Sequence, residues 1–162
     1  HDPYAGLLTS AAQVCRTDVS SEYEVDIVAD AHDLPFEAES FDSVVAIEVF
    51  EHLSKPEVAA REVHRVLKPG GVAYISVPFL FHVHGDPFDF TRFTQTGLEV
   101  LFESFRKCEV SGFGNRFYVI SDLVTTAAGP WKLLRLFNHV IAHAIPGRSM
   151  DSPSGYWIQV TR

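Results

Sequence analysis

Cysteine is scarce in this chain. Cys15 and Cys108 are its two cysteines, too few for a disulfide framework or a zinc cluster. Both fall in predicted strands, which points to buried free thiols in a reducing cytoplasm. Basic charge is also in short supply: 13 Lys and Arg stand against 21 Asp and Glu, a net charge of −8. That argues against a nonspecific grip on nucleic-acid backbones, a local basic groove aside. Long apolar runs are missing, with no stretch near the ~18 residues a membrane helix needs. The opening residues 1–4 are polar and carry no basic n-region, so the sequence reads without a signal peptide. Repeats, low-complexity tracts and domain linkers are absent too, and 162 residues make a single domain, 1–162, large enough to bury a real core.

What is there is organised around residues 41–78, FDSVVAIEVFEHLSKPEVAAREVHRVLKPGGVAYISVP. Two apolar, β-branched runs at 43–47 and 72–77 flank a helix with start and stop signals. Ser54 with Glu57 three residues on reads as a capping box, and Pro56 sits in the first turn, where its missing N–H costs nothing. Ala59, Val63, Val66 and Leu67 recur at helical spacing and form the buried stripe. Lys68-Pro69-Gly70-Gly71 ends the helix, with Gly70 or Gly71 free to take a positive φ. A strand–acidic turn–helix–glycine turn–strand unit is the repeat of a parallel α/β sheet. The carboxyl end of such a strand is the usual place for chemistry.

Upstream, 4–12 reads as a short helix, and 13–17 and 23–29 as strands closed by Asp18 and Asp30. Downstream, 79–93 is an aromatic, histidine-rich loop of the kind that serves as a lid or binding loop. Thr94 caps a helix with Leu98, Leu101, Phe102 and Phe105 on one face. Strands follow at 108–113 and 156–161, separated by an insertion over 115–154. Within it, 131–145 is helical by composition, and the insertion is where a homodimer interface would lie.

Asp18, Asp30 and Glu48 close three successive predicted strands, so a parallel sheet would bring their carboxylates to one rim. Together with VADAHDLPF and the unit over 41–78, these residues resemble the class I S-adenosylmethionine-dependent methyltransferases of the methyltransferase-11 type. The resemblance implies a Rossmann-like α/β fold whose mostly parallel sheet has an antiparallel last strand. It implies S-adenosylmethionine as cofactor, with Asp18 on the ribose. Asp30, with the Ala31 backbone or the His32 side chain, would face the adenine, and Glu48 and Val49 would lie near the methionine end. The family's first strand and its D-x-G-x-G-like turn have no counterpart in this sequence. The fold is therefore expected to be N-terminally incomplete, with two facing strand edges left open. Each unpaired buried backbone group costs ~1–3 kcal/mol, so the chain is expected to bind the cofactor poorly unless an equivalent strand is supplied.

Methyl transfer to a hydroxyl needs a base. The candidates are His52, beyond the third strand, and His82 or His84 in the aromatic loop. Glu48-x-x-Glu51-His52 is also similar to the E-x-x-E-H of metal-dependent O-methyltransferases of the ubiquinone pathway and of small-RNA 2′-O-methylation. The loop HGDPFDFTR resembles the latter. Such a set could hold a divalent ion that acidifies an acceptor hydroxyl. Phe79, Phe81, Phe88, Phe90 and Phe93 could line an apolar acceptor site, and Arg92 could pair with Asp86 or Asp89 or meet an anionic acceptor. The expectation is methyl transfer to a small-molecule hydroxyl in the cytoplasm, with no nucleic-acid partner. The alternative is a degenerate binding or scaffold module of the same fold.

Overall fold

The computed structural model describes residues 13–85, 88–127 and 153–162. The predicted helices over 4–12 and 131–145 lie outside the described residues, as does the proposed dimer surface of the insertion beyond 127. In chain order the elements are β1 (Thr17–Asp18), β2 (Ile27–Val28), β3 (Phe41–Ile47), a single 3₁₀ turn (Phe50–His52), α1 (Pro56–Val66), β4 (Leu67–Pro78), α2 (Gln95–Leu101), β5 (Lys107–Phe113), α3 (Arg116–Ala127) and β6 (Gly155–Thr161).

They form a four-stranded sheet of order β3-β4-β6-β5 and a separate pair, β1-β2. β3 and β4 are parallel, from Ser43 beside Val72 to Ile47 beside Ser76. β6 runs antiparallel to both β4 and β5, so β3, β4 and β5 share one direction and the last strand alone opposes it. This is the mixed Rossmann-like sheet the sequence implies, with one refinement: the reversed strand sits inside, and β5 is the edge. The tight crossing of β6 over β4 requires Gly155, where a Cβ would come within 2.5 Å of the Val77 carbonyl.

Period-two burial builds the core. Ala73, Ile75 and Val77 of β4 and Tyr156, Ile158 and Val160 of β6 point to one face and are buried there. α1 and α2 cover that face with Ala59, Ala60, Val63, Val66 and Leu98, and Phe102 and Phe105 extend the cover. The alternate residues Val45, Tyr74 and Trp157 stand on the other face, half-exposed. Thr94 caps α2 as its position predicts, its hydroxyl accepting from the Gly97 amide at 3.1 Å. Gly70 takes the positive φ (79°), and its amide bonds the Arg162 carbonyl at 3.1 Å.

Three expectations need correction. The capping box does not form: the N-cap of α1 is Lys55, without a side-chain bond to the helix. The Lys55 amide donates to His32 Nε2 at 3.3 Å, a tertiary partner that sequence spacing does not reveal. The first two strands shrink to two residues each, having only one another to pair with among the described residues. Cys15 consequently lies outside any strand, and both cysteines are free but only half-buried. Among the described residues, no helix is long and apolar enough to cross a membrane.

Candidate functional site

The site forms where β3 and β4 end. Glu48 follows β3 with φ of +53°, a left-handed conformation that is uncommon outside glycine and often marks a functional turn. Its amide bonds the Ser76 carbonyl at 3.1 Å. Its Oε1 accepts from the Ser76 hydroxyl at 2.6 Å. The chain then reverses into the 3₁₀ turn. Phe50 drops into the core, with its ring 5.4 Å from that of Phe102. That anchor carries Glu51 inward with it, and the Glu51 side chain is fully buried.

The aromatic loop is stapled over this turn. The amides of Phe90 and Thr91 both donate to the Glu51 carbonyl, at 2.8 and 3.2 Å. His52 Nδ1 lies 2.5 Å from the Phe88 carbonyl. His84 Nε2 comes to 3.7 Å from Glu51 Oε1, and His52 Nε2 to 3.6 Å from the same oxygen. The two imidazole rings meet edge-on, 5.1 Å apart. Potential ligand atoms of Glu51, His52 and His84 all lie within 4.8 Å of one another. Neither oxygen of the Glu51 carboxylate has a hydrogen-bond partner among the described residues. Burial pushes this carboxyl up to about 7, and the nearby Glu48 charge adds to the shift. Its own amide, His52 and Arg92 act against it.

Behind His84 lies a salt bridge. Asp89, its side chain 4% exposed, pairs with Arg92 through two guanidinium bonds, one of them Nη2 to Oδ2 at 2.6 Å. Asp89 also accepts from the His84 amide at 2.9 Å. The Arg92 guanidinium holds the Asp89 carboxyl at about 2, well below the usual range. Of the partners foreseen for Arg92, Asp89 is the one it takes; Asp86 lies outside the described residues.

The other predicted residues sit on neighbouring strand ends. β1 and β2 are parallel, with Asp18 beside Val28, so Asp18 and Asp30 stand at the same end of that pair. Asp18 Oδ1 accepts from the Ser20 amide at 2.8 Å. Asp30 Oδ1 accepts from the His32 amide at 2.9 Å and lies 2.6 Å from His32 Nδ1. These bonds, led by the one from the His32 amide, hold the Asp30 carboxyl below its ordinary value. Ala31 packs against the main core. The loop that follows is tied to α1 by Arg65, which donates to the carbonyls of Leu34 and Phe36 at 2.9 and 2.7 Å. The bond from the Lys55 amide to His32 then joins the Asp30 turn to the segment just beyond His52.

Glu51 is the residue that sequence reasoning underrated. It stood in the E-x-x-E-H pattern as one acid of two. The backbone reversal at Glu48 and the burial of Phe50 make it the inward one. The aromatics divide as well. Phe93 is core, and Phe79 packs partly buried on Tyr156. Phe88 and Phe90 face solvent at 63% and 53% exposure, with their rings 5.7 Å apart. His82 stacks against Phe81, ring to ring at 4.3 Å.

Comparison with known proteins bears on the fold that carries this arrangement. Residues 2–75 match the family model described as methyltransferase domain. A curated relative, sterol methyltransferase-like 1 of Botryococcus braunii, is 51% identical over 51 residues. That match spans 32% of this chain but only 13% of the relative's length. Among solved structures, the methyltransferase bound to the Trm112 methyltransferase activator of Haloferax volcanii superposes with a TM-score of 0.62 at 21% identity. The alignment covers 96% of this chain and 76% of that one. A SAM-dependent methyltransferase of Archaeoglobus fulgidus gives 0.57 at 16% identity, covering 90% and 74%. The cyclase SpnF gives 0.51 at 22%, covering 84% and 54%. At these identities the structural likenesses establish the fold, and one fold can carry more than one reaction.

Proposed function

We propose, for a chain whose fold and matched residues are those of a class I S-adenosylmethionine-dependent methyltransferase domain, that it takes part in methyl transfer to the hydroxyl of a small molecule. The observation that carries this reading is the buried, unpartnered Glu51 carboxylate between His52 and His84 at the carboxyl end of β3. A polar centre of this kind, at the rim where α/β sheets bind ligands, suits proton removal from an acceptor.

S-adenosylmethionine supplies an already activated methyl group, so the protein's own work is alignment, exclusion of water and handling of one proton. In this reading Asp18 receives the ribose hydroxyls. Asp30, one oxygen already held by His32, keeps the other for the adenine amino group. Ala31 and His32 flank the base. Glu48, fixed by Ser76, and Val49 stand near the methionine end. His52 or His84 takes the acceptor proton at Nε2, with Glu51 beside that atom to stabilise the imidazolium. Phe88 and Phe90 offer the acceptor an apolar approach. We place the activity in the cytoplasm.

Release of S-adenosylhomocysteine from S-adenosylmethionine, assayed with the full-length protein and a panel of hydroxylated acceptors, tests the reading. Turnover that falls at least tenfold in His84→Asn supports it. Absence of turnover and of cofactor binding across the panel overturns it.

A second reading has its own support. Glu51, His52 and His84 fit a divalent ion as well as a proton: two imidazole nitrogens and a carboxylate oxygen suit a borderline metal, and among the described residues neither oxygen of the buried carboxylate has a hydrogen-bond partner. The ion would lower the pKa of an acceptor hydroxyl. Calorimetric titration with Mn²⁺ and Zn²⁺ separates the two readings. Binding that is lost in Glu51→Gln favours the metal; no binding by the parent protein favours the proton.

A further inference from the structure

We propose that Asp89 and Arg92 are positioning residues that fix the tautomer of His84, so that His52 and His84 both aim an Nε2 lone pair at Glu51. The inference deepens the reading above and rests on it for its consequence in turnover, but its geometry stands alone.

His52 sets the pattern. Its Nδ1 lies 2.5 Å from the Phe88 carbonyl oxygen. A carbonyl can only accept, so Nδ1 carries the hydrogen. In the neutral ring Nε2 is then a bare lone pair, and it faces Glu51 Oε1 at 3.6 Å.

His84 reaches the same state by another route. Its Nδ1 has two acceptors near it, the His82 carbonyl at 3.4 Å and Asp89 Oδ2 at 3.5 Å. The donor close by is Arg92 Nη2, also at 3.4 Å. That group is already committed at shorter range, to Asp89 Oδ2 at 2.6 Å and to the His82 carbonyl at 3.0 Å. Nδ1 therefore serves better as donor than as acceptor. Its hydrogen again leaves Nε2 bare, 3.7 Å from Glu51 Oε1. The partner of one ring nitrogen decides the state of the other.

Asp89 and Arg92 also hold the His84 backbone in place. The carboxylate accepts from the His84 amide, and the guanidinium grips the His82 carbonyl. Residues 81–94 form neither helix nor strand in the described part, so such bonds decide where His84 lies. A buried ion pair is a weak source of net stability, because both charges lose water. Its two-pronged geometry is good at fixing direction. Here it fixes 82–84 against the Glu51 turn.

The result is two lone pairs converging on one carboxylate oxygen. Once Glu51 has released its proton, such an array holds a cation and offers no hydrogen of its own. Whether that cation is the acceptor's proton or a metal, the three atoms are arranged before it arrives.

The test is a long-range proton–nitrogen correlation spectrum of the protein labelled with ¹⁵N-histidine, recorded with the rings neutral. We expect both His52 and His84 to carry their hydrogen on Nδ1. In Asp89→Ala, His84 should shift to the Nε2–H form while His52 stays unchanged. In Asp89→Asn, which keeps a carbonyl oxygen in place, the Nδ1–H form should be largely retained. A parent protein with Nε2–H at His84 overturns the proposal without any variant, as does an unchanged His84 in a folded Asp89→Ala. If Asp89→Ala does not fold, the parent spectrum alone decides. For turnover, Asp89→Ala should lower kcat about tenfold to a hundredfold at unchanged cofactor KM, the scale of a small misplacement. A parent protein that transfers no methyl group would end the methyl-transfer reading and leave the spectral result standing.

Discussion

β4 and β2 are both strands of this domain, yet they live in opposite environments. In β4, Ala73, Ile75 and Val77 are fully buried, and the strand is paired on both sides. In β2, Ile27 and Val28 are 38% and 53% exposed, and among the described residues the strand pairs only with β1. The four-stranded sheet with α1 and α2 therefore holds the stability, while the β1-β2 pair holds Asp18 and leads to Asp30. The Glu51 centre belongs to the stable half and is built on its core through Phe50. Stability and the nucleoside recognition proposed for Asp18 and Asp30 would thus fall to separate regions, and substitutions should separate them.

The largest effect should come from the core of the sheet half. Phe102→Ala removes the ring that holds Phe50 and Phe105 and should cost ~3–5 kcal/mol of stability in urea denaturation. If it costs no more than a change in β2, the division between the halves is wrong.

Next is the pH dependence of stability carried by Glu51. Its carboxyl keeps its proton up to about 7 in the folded protein, against 4.5 ordinarily. Between those values the unfolded chain has released a proton that the native state still holds, so stability falls as pH rises through this window. The fall amounts to about 3 kcal/mol, complete by pH above 7. Glu51→Gln should remove it, giving a flatter stability profile and a sturdier protein at pH 8. A saturating divalent ion that binds there should flatten the profile of the parent protein too.

A smaller effect should appear in the weaker half. Asp18→Ala should reduce S-adenosylhomocysteine affinity about tenfold to a hundredfold, the scale of a hydrogen bond to a charged group. Its melting temperature should barely move. The smallest effect should be that of Ile27→Ala, which deletes an exposed side chain and should cost less than ~1 kcal/mol.

Legibility in the sequence follows the same division. α1, β4 and β6 could be read because their burial is strong and therefore imprints a period on the residues, while β3, with no buried residue, was legible from its β-branched run. Ala73, Ile75 and Val77 alternate, and Ala59, Val63 and Val66 recur at helical spacing. Thr94 announced its cap. The first two strands looked longer than they are, because propensity marks a willing strand and cannot supply its neighbour. At the start of α1 the N-cap is Lys55 rather than Ser54, and its amide is held by His32, 23 residues away, a contact no local spacing shows. α3 went unread although Asn115 signals it, accepting from the Phe117 and Tyr118 amides at 3.0 Å each. The rim acids were visible as strand ends. The pairing of Glu51 with His84 was not, since it depends on a loop whose path is set by Asp89 and Arg92.

The most direct test of the proposed cofactor rim is an amide chemical-shift titration of the full-length protein with S-adenosylhomocysteine. Asp18, Ala31, His32, Glu48 and Val49 should shift together along one saturation curve. Shifts gathered on the outer sheet face around Tyr74 and Trp157, with those five residues still, would contradict it.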